Sequence, residues 1–182
     1  MNSTKAELRR ALQQARLALS PEERAAKSMA ITNRLQAVVD WSQVSTLHFF
    51  EPIQRLGEVN ISSFITGLQV NYPNLKFFTS KQFDNEWKTF SLGDQQHSTP
   101  IQFDVIIVPM LGFDHKLQRV GYGGGFYDRF LATQSQAKKI GVCFDVGRLD
   151  QIPAEAHDIP LNLIITEAAA YPNSNLYNLL AH

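Results

Sequence analysis

Four glycines stand within five residues in the run Arg119–Leu131, R-V-G-Y-G-G-G-F-Y-D-R-F-L: Gly121, Gly123, Gly124 and Gly125. Such density strips side chains away and permits positive φ, so backbone N–H groups can converge on a ligand. The amphipathic run from Phe126 reads as the first turns of a helix. A glycine turn feeding a helix start suits an anion such as phosphate, because unpaired N–H groups and the helix dipole both favour negative charge. Asp128 follows at once, where its carboxylate would lie near bound phosphates. Three cations, Lys5, Arg9 and Arg16, line up at helical spacing on the first helix candidate. Glu58 and Asp158 are further carboxylates placed in loops or at element ends. The sum is phosphate chemistry rather than hydrolysis, with sparse carboxylates of the number that magnesium uses when phosphate oxygens fill its other positions.

Each feature has a plainer reading. One glycine-rich loop can be only a turn. No Gly-Lys-Ser/Thr closes it, so it is not a Walker motif. Phe126 takes the place of the third glycine of a dinucleotide fingerprint. The basic stripe can be a solvated edge. Glu58 can complement a helix dipole. Asp128 can be a helix-start carboxylate and Asp158 a loop cap. His48, inside an apolar run, reads as structural. Cys143, the single cysteine, reads as a buried thiol and excludes an internal disulfide.

The elements that must hold these residues alternate. Thr4 and Glu7 have capping-box spacing before a helix to Leu19, with Leu8, Ala11, Leu12, Ala15 and Leu19 on its apolar face. Ser20-Pro21-Glu22-Glu23 starts a second helix, expected to reach Val38. Val44–Phe50 reads as a strand. Asn60 is the expected cap of a helix over Ile61–Val70. Leu75–Thr79 and Trp87–Leu92 read as a hairpin joined by Ser80–Glu86, followed by a loop at Gly93–Thr99. Phe103–Pro109 reads as a buried strand, Met110–Gln118 as a loop that Asp114 orders, and Phe126 to about Thr133 as a helix. Lys139–Phe144 is another strand and Leu163–Thr166 the last, with an irregular stretch between that holds His157 and Asp158. Alternation of this kind predicts a three-layer α/β/α domain with a largely parallel sheet.

The 182 residues suit one domain, 1–182. A hydrophobic content of 44% supports a packed core. Seventeen basic and seventeen acidic residues cancel, which argues against nucleic-acid and membrane surfaces but leaves room for a local anion pocket. The first residues form a polar helix pattern rather than an apolar signal core, and no apolar run approaches the ~18–20 residues that span a bilayer. A cytoplasmic monomer acting on small molecules is the expectation.

The segments V-P-M-L-G-F-D and R-V-G-Y-G-G-G-F-Y-D-R-F-L, with I-G-V-C-F-D, I-P-A-E-A-H-D-I-P-L-N-L-I-I-T and the early K-A-E-L-R-R, resemble the 5-formyltetrahydrofolate cyclo-ligase family, also called methenyltetrahydrofolate synthetase. The resemblance implies the NagB/RpiA/CoA-transferase-like fold of that family. It implies that 5-formyltetrahydrofolate is converted to 5,10-methenyltetrahydrofolate with ATP and Mg²⁺. Position by position, the ATP site would comprise Lys5, Arg9, Arg119, Val120, Gly121, Tyr122, Gly123, Gly124, Gly125, Phe126 and Tyr127. Lys5, Arg9, Arg119 and Tyr127 would act catalytically. The folate would meet Ile53, Glu58 and the Tyr122–Phe126 stretch, and Asp128 and Asp158 would hold the metal. Arg16 matches nothing in the family pattern. Three departures stand out: Ile61 replaces a threonine, Gly124 replaces a loop lysine, and a longer segment before Phe103 is missing. Two rival classes are a sugar-phosphate isomerase-like enzyme on a related scaffold and a non-catalytic nucleotide- or folate-binding protein.

Overall fold

The computed structural model describes residues 4–83, 86–92, 102–155 and 158–173. The expected loop at Gly93–Thr99, and His157, lie outside them. Two capping boxes open the chain. The Thr4 side chain accepts from the Glu7 amide at 3.3 Å while Glu7 accepts from the Thr4 amide at 2.8 Å, which starts α1 (Lys5–Leu17). Ser20 and Glu23 repeat the exchange at 3.1 and 2.7 Å, with proline at the first position of α2 (Pro21–Val38). The third helix, α3 (Ser62–Asn71), starts one residue later than expected. Its cap position is Ile61, and Asn60 instead accepts from the Ser62 amide at 3.0 Å.

The main sheet has seven strands: β1 (Thr46–His48), β2 (Lys76–Phe83), β3 (Glu86–Ser91), β4 (Val105–Pro109), β7 (Lys138–Val142), β8 (Leu163–Ile165) and β9 (Ala170–Pro172). Their spatial order is β3-β2-β1-β4-β7-β8-β9. The five central strands run parallel, and β3 and β9 close the edges antiparallel. The largely parallel α/β sheet expected from the alternation is present. From β1 the chain first builds β2 on one side and later β4 on the other, so strand order reverses between β1 and β4. In open α/β sheets the crevice beyond such a point is where ligands bind.

Alternating side chains of β4 feed two cores. Val105 and Ile107 pack with Ile31 and Leu35 of α2 and with Ile65 and Leu68 of α3. Ile106 and Val108 pack on the other face with Leu131 of α4 (Phe126–Ala132). Cys143 is buried there, and burial pushes its thiol up to about 12, which keeps it protonated and unreactive, as expected. His48 is fully buried between Phe103 and Phe130, and desolvation lowers it to about 3, so it is a neutral core histidine.

Three expectations need correction. The stretch Met110–Gln118 is not simply a loop: β5 (Gly112–Phe113) and β6 (Arg119–Val120) pair antiparallel across it. Asp114 does order this turn, accepting from the amides of Lys116, Gln118 and Ile152. The strand at Leu163 is not the last, because β9 returns beside it. The inner face of α1 is wider than the apolar stripe, because the basic stripe is turned inward beside it. Ala11 is exposed, and the residues fully buried are Leu12 and Arg16. Leu12 joins Leu111, Val120 and Ile152 in a small third core, which turns Lys5, Arg9 and Arg16 inward with it. A Cβ added at Gly112 would stand 2.5 Å from the Gly147 carbonyl oxygen and 2.7 Å from Leu12, so glycine is needed for α1 to sit this close. Among the described residues, no helix is long and apolar enough to cross a membrane.

Candidate active site

A cleft of about 740 Å³ opens beyond the C-terminal ends of β1 and β4, where Phe50, Glu51 and Pro109 form its floor. This is the crevice at the point of strand-order reversal. Its size suits a drug-sized ligand or a nucleotide. Segments far apart in sequence meet there: α1, the 51–58 loop, the strands β2 and β3, the glycine loop with the start of α4, and the residues Glu155 and Asp158.

Every residue that the resemblance assigned to the site lines this cleft except Val120, whose side chain packs into the third core instead. Gly123 and Gly125 hold φ of 94° and 62°, values that L side chains rarely adopt. Arg9 grips the loop from below, its Nε donating to the Gly121 carbonyl at 3.0 Å. A Cβ at Gly123 would lie 3.3 Å from that guanidinium, so the missing side chain also admits Arg9. Among the described residues, none of the backbone amides from Gly121 to Gly125 donates to a protein acceptor. Amides left free along a glycine turn are what an anion site requires.

The cations and carboxylates are interlocked. Lys5 Nζ donates to both oxygens of Asp158, at 2.7 and 2.6 Å, and lies 3.3 Å from Glu155. Asp158 also accepts from the Glu155 amide at 2.7 Å, so its loop-cap role is real as well. Arg119 donates to Asp128 and to the Ile159 carbonyl. Burial pulls the Arg119 pKa down, and Asp128 and Asp158 oppose that pull. Glu58 is buried and accepts from the Ile53 amide at 2.6 Å, which joins the two expected folate contacts into one unit. The phenols of Tyr122 and Tyr127 are both pushed up, chiefly by burial and further by Glu58. They stay protonated and are donors at neutral pH.

Four cationic and five acidic side chains line the cleft. A polyphosphate added to that balance needs extra positive charge. Among the described residues there is no group of three or more metal-ligating side chains. Asp128 and Asp158 therefore fit magnesium only as sparse ligands, with phosphate oxygens completing the shell.

A family model described as the 5-formyltetrahydrofolate cyclo-ligase family matches residues 1–167. The chain belongs to the 5-formyltetrahydrofolate cyclo-ligase family. That family comprises ligases of folate-linked one-carbon metabolism. A curated 5-formyltetrahydrofolate cyclo-ligase of Mycoplasma pneumoniae is 31% identical over 169 residues, covering 88% of this chain and 96% of the relative. The mouse cyclo-ligase is 25% identical, over 92% and 95%. The solved 5,10-methenyltetrahydrofolate synthetase of Mycoplasma pneumoniae superposes with a TM-score of 0.80 at 28% identity, covering 91% of this chain and 99% of the other. The synthetase of Aquifex aeolicus, at 24% identity and a TM-score of 0.77, shares the fold.

Sequence reasoning missed several cleft residues. Lys81 and Gln82 of β2 and Trp87 of β3 form one wall, with Trp87 stacked on Phe126 at 4.3 Å between ring centroids. An exposed tryptophan on an edge strand was the available signal. Lys81 gave none. Arg16 does not line the cleft but supports a residue that does, through the Tyr122 hydroxyl. The solvated-edge reading fails for it, because it is 4% exposed and sits under the glycine loop.

Proposed function

We propose that this chain converts 5-formyltetrahydrofolate and ATP to 5,10-methenyltetrahydrofolate, ADP and phosphate with Mg²⁺. One observation carries the reading: the unbonded amides of the glycine loop, the cations Lys5, Arg9 and Arg119, and the Glu58–Ile53 unit share one cleft. An anion end and a hydrogen-bonding end in one cavity suit a nucleotide beside a polar heterocycle.

The formyl oxygen attacks the γ-phosphorus of ATP, and ADP leaves with the electron pair of the bridging bond. Nitrogen 10 then attacks the activated formyl carbon, phosphate departs, and the nitrogen proton is lost as the ring closes. The chain's part is positioning and charge stabilisation, which dominate phosphoryl transfer. Lys5, Arg9 and Arg119 now face carboxylates and carbonyls, and they turn to the phosphates when these arrive. The loop amides take the place of the lysine that Gly124 replaces. Glu58 accepts from the folate ring, and the protonated phenol of Tyr127 donates toward the developing charge. Asp128 and Asp158 would hold magnesium, which supplies neutralising charge to the polyphosphate.

The test is absorbance in the methenylfolate band with protein, 5-formyltetrahydrofolate, ATP and magnesium. Product that requires all of them is expected. Absence of methenyl product from protein that binds a nucleotide or a sugar phosphate would overturn the reading.

A further inference from the structure

Arg16 is a buried guanidinium for which no carboxylate lies within salt-bridge distance among the described residues. A buried charge left without a carboxylate is costly, so its actual partners matter. Its Nη1 donates to the Tyr122 hydroxyl at 2.8 Å, and its Nη2 reaches the Met110 carbonyl at a longer 3.4 Å. Its central carbon lies 5.5 Å from the centre of the Tyr122 ring. Tyr122 itself is 37% exposed, at the mouth of the cleft and in the middle of the glycine loop. Its hydroxyl end is therefore anchored inward while its ring edge stays at the entrance. Glu58 lines the same cleft, and its negative charge adds to the burial that raises the phenol above its ordinary value. Glu58 in turn holds the Ile53 amide.

We propose that Arg16 is a positioning residue that acts through Tyr122, fixing the phenol between the guanidinium and the Glu58 carboxylate and so setting the folate end of the cleft. A hydroxyl has one proton and accepts through its oxygen. With Arg16 donating into that oxygen, the phenol proton points away from the guanidinium and into the cleft that Glu58 also lines. The guanidinium thus fixes the direction of the relay and polarises it. Removing Arg16 frees the phenol to rotate, and Glu58 loses an oriented donor. Arg9 holds the same loop separately, through the Gly121 carbonyl, so the phosphate end keeps its support. The inference rests on the folate reading given above.

The experiment is a double-mutant cycle with Arg16→Met, Arg16→Lys and Tyr122→Phe, reading KM for 5-formyltetrahydrofolate, KM for ATP, kcat and melting temperature. Loss of one charge-assisted hydrogen bond corresponds to about tenfold in affinity. Arg16→Met and Tyr122→Phe should each raise the folate KM about tenfold, with the ATP KM changed less than about twofold. The double variant should be no worse than the poorer single one, and Arg16→Lys should recover part of the loss. Multiplicative effects, or an Arg16→Met protein with the parent's folate KM and only a lower melting temperature, would overturn the role. If Arg16→Met does not fold, Arg16→Lys with and without Tyr122→Phe carries the same comparison: non-additivity supports the relay and additivity overturns it. A parent protein that forms no methenyl product overturns the function and this role together. An active parent with an additive cycle overturns only the role of Arg16.

Discussion

Lys5 Nζ lies 2.6 Å from Asp158 Oδ2 across 153 positions of chain, which ties the start of α1 to a late loop at the rim of the cleft. Both side chains are largely buried, so their attraction is little screened by water, while the cost of desolvating two charges offsets part of it. It also holds the cation in readiness for phosphate. Lys5→Ala should weaken ATP binding about tenfold or more, the worth of one charge-assisted hydrogen bond. Calorimetric titration with ATP checks it. A parent-like Kd would reduce Lys5 to a strut between α1 and the loop.

Asp128 both neutralises Arg119 and faces the cleft. Asn is nearly isosteric and carries no charge. Asp128→Asn should lower kcat by about 10²–10³, the typical cost of one electrostatic contact in a transition state. It should also flatten the dependence on free Mg²⁺. Asp158→Asn should act in the same direction. The measurement is kcat against free Mg²⁺ for each variant, with melting temperature as the fold control. A folded Asp128→Asn protein with the parent's profile would remove Asp128 from the metal site.

Glu58 accepts from the Ile53 amide, and its remaining oxygen capacity faces the cleft. Glu58→Gln keeps an acceptor for that amide and loses the charge. The folate KM should rise several-fold while ATP affinity holds. Steady-state kinetics with each substrate varied in turn distinguishes this from a helix-dipole role, which would move only the melting temperature.

His48 gives a pH prediction. Its Nε2 is 2.9 Å from the Ser80 hydroxyl on the cleft wall, and among the described residues its Nδ1 has no hydrogen-bond partner. Its folded pKa of about 3 lies below the ordinary 6.5. Between those values the unfolded chain binds a proton that the folded chain does not, so stability rises with pH through that window. The contribution is complete above the unfolded value and is lost as pH falls toward 3. Urea midpoints for the parent and His48→Gln between about pH 4 and 7 should converge as pH falls, because Gln does not titrate. Parallel curves would show that His48 is not the source.

Short-range features were legible in the sequence. Both capping boxes, the strand Val105–Pro109, the glycine turn and the carboxylate after it depend on neighbours a few residues apart, and local hydrogen bonding or alternation sets them. The expected site residues came largely from a motif, and the cleft gathers all of them but Val120. The two-residue strands β5 and β6 were not legible, because so short a ladder carries no periodic signal.

The face of α1 shows where sequence stops. Its pattern offers an apolar stripe and a basic stripe side by side, and periodicity does not tell whether the basic stripe is buried with the apolar one or left in water. The choice was made by Leu12 packing on Leu111, Val120 and Ile152, residues about a hundred or more positions away. That rotation buries Arg16, sends Lys5 to Asp158 and places Arg9 beneath Gly123. The sequence by itself determined which residues could bind phosphate and where α1, α2 and α4 start. Only the tertiary structure decided which of the basic residues face the cleft and which are buried behind it, because burial of one leucine fixes the helix's rotation for every side chain on it.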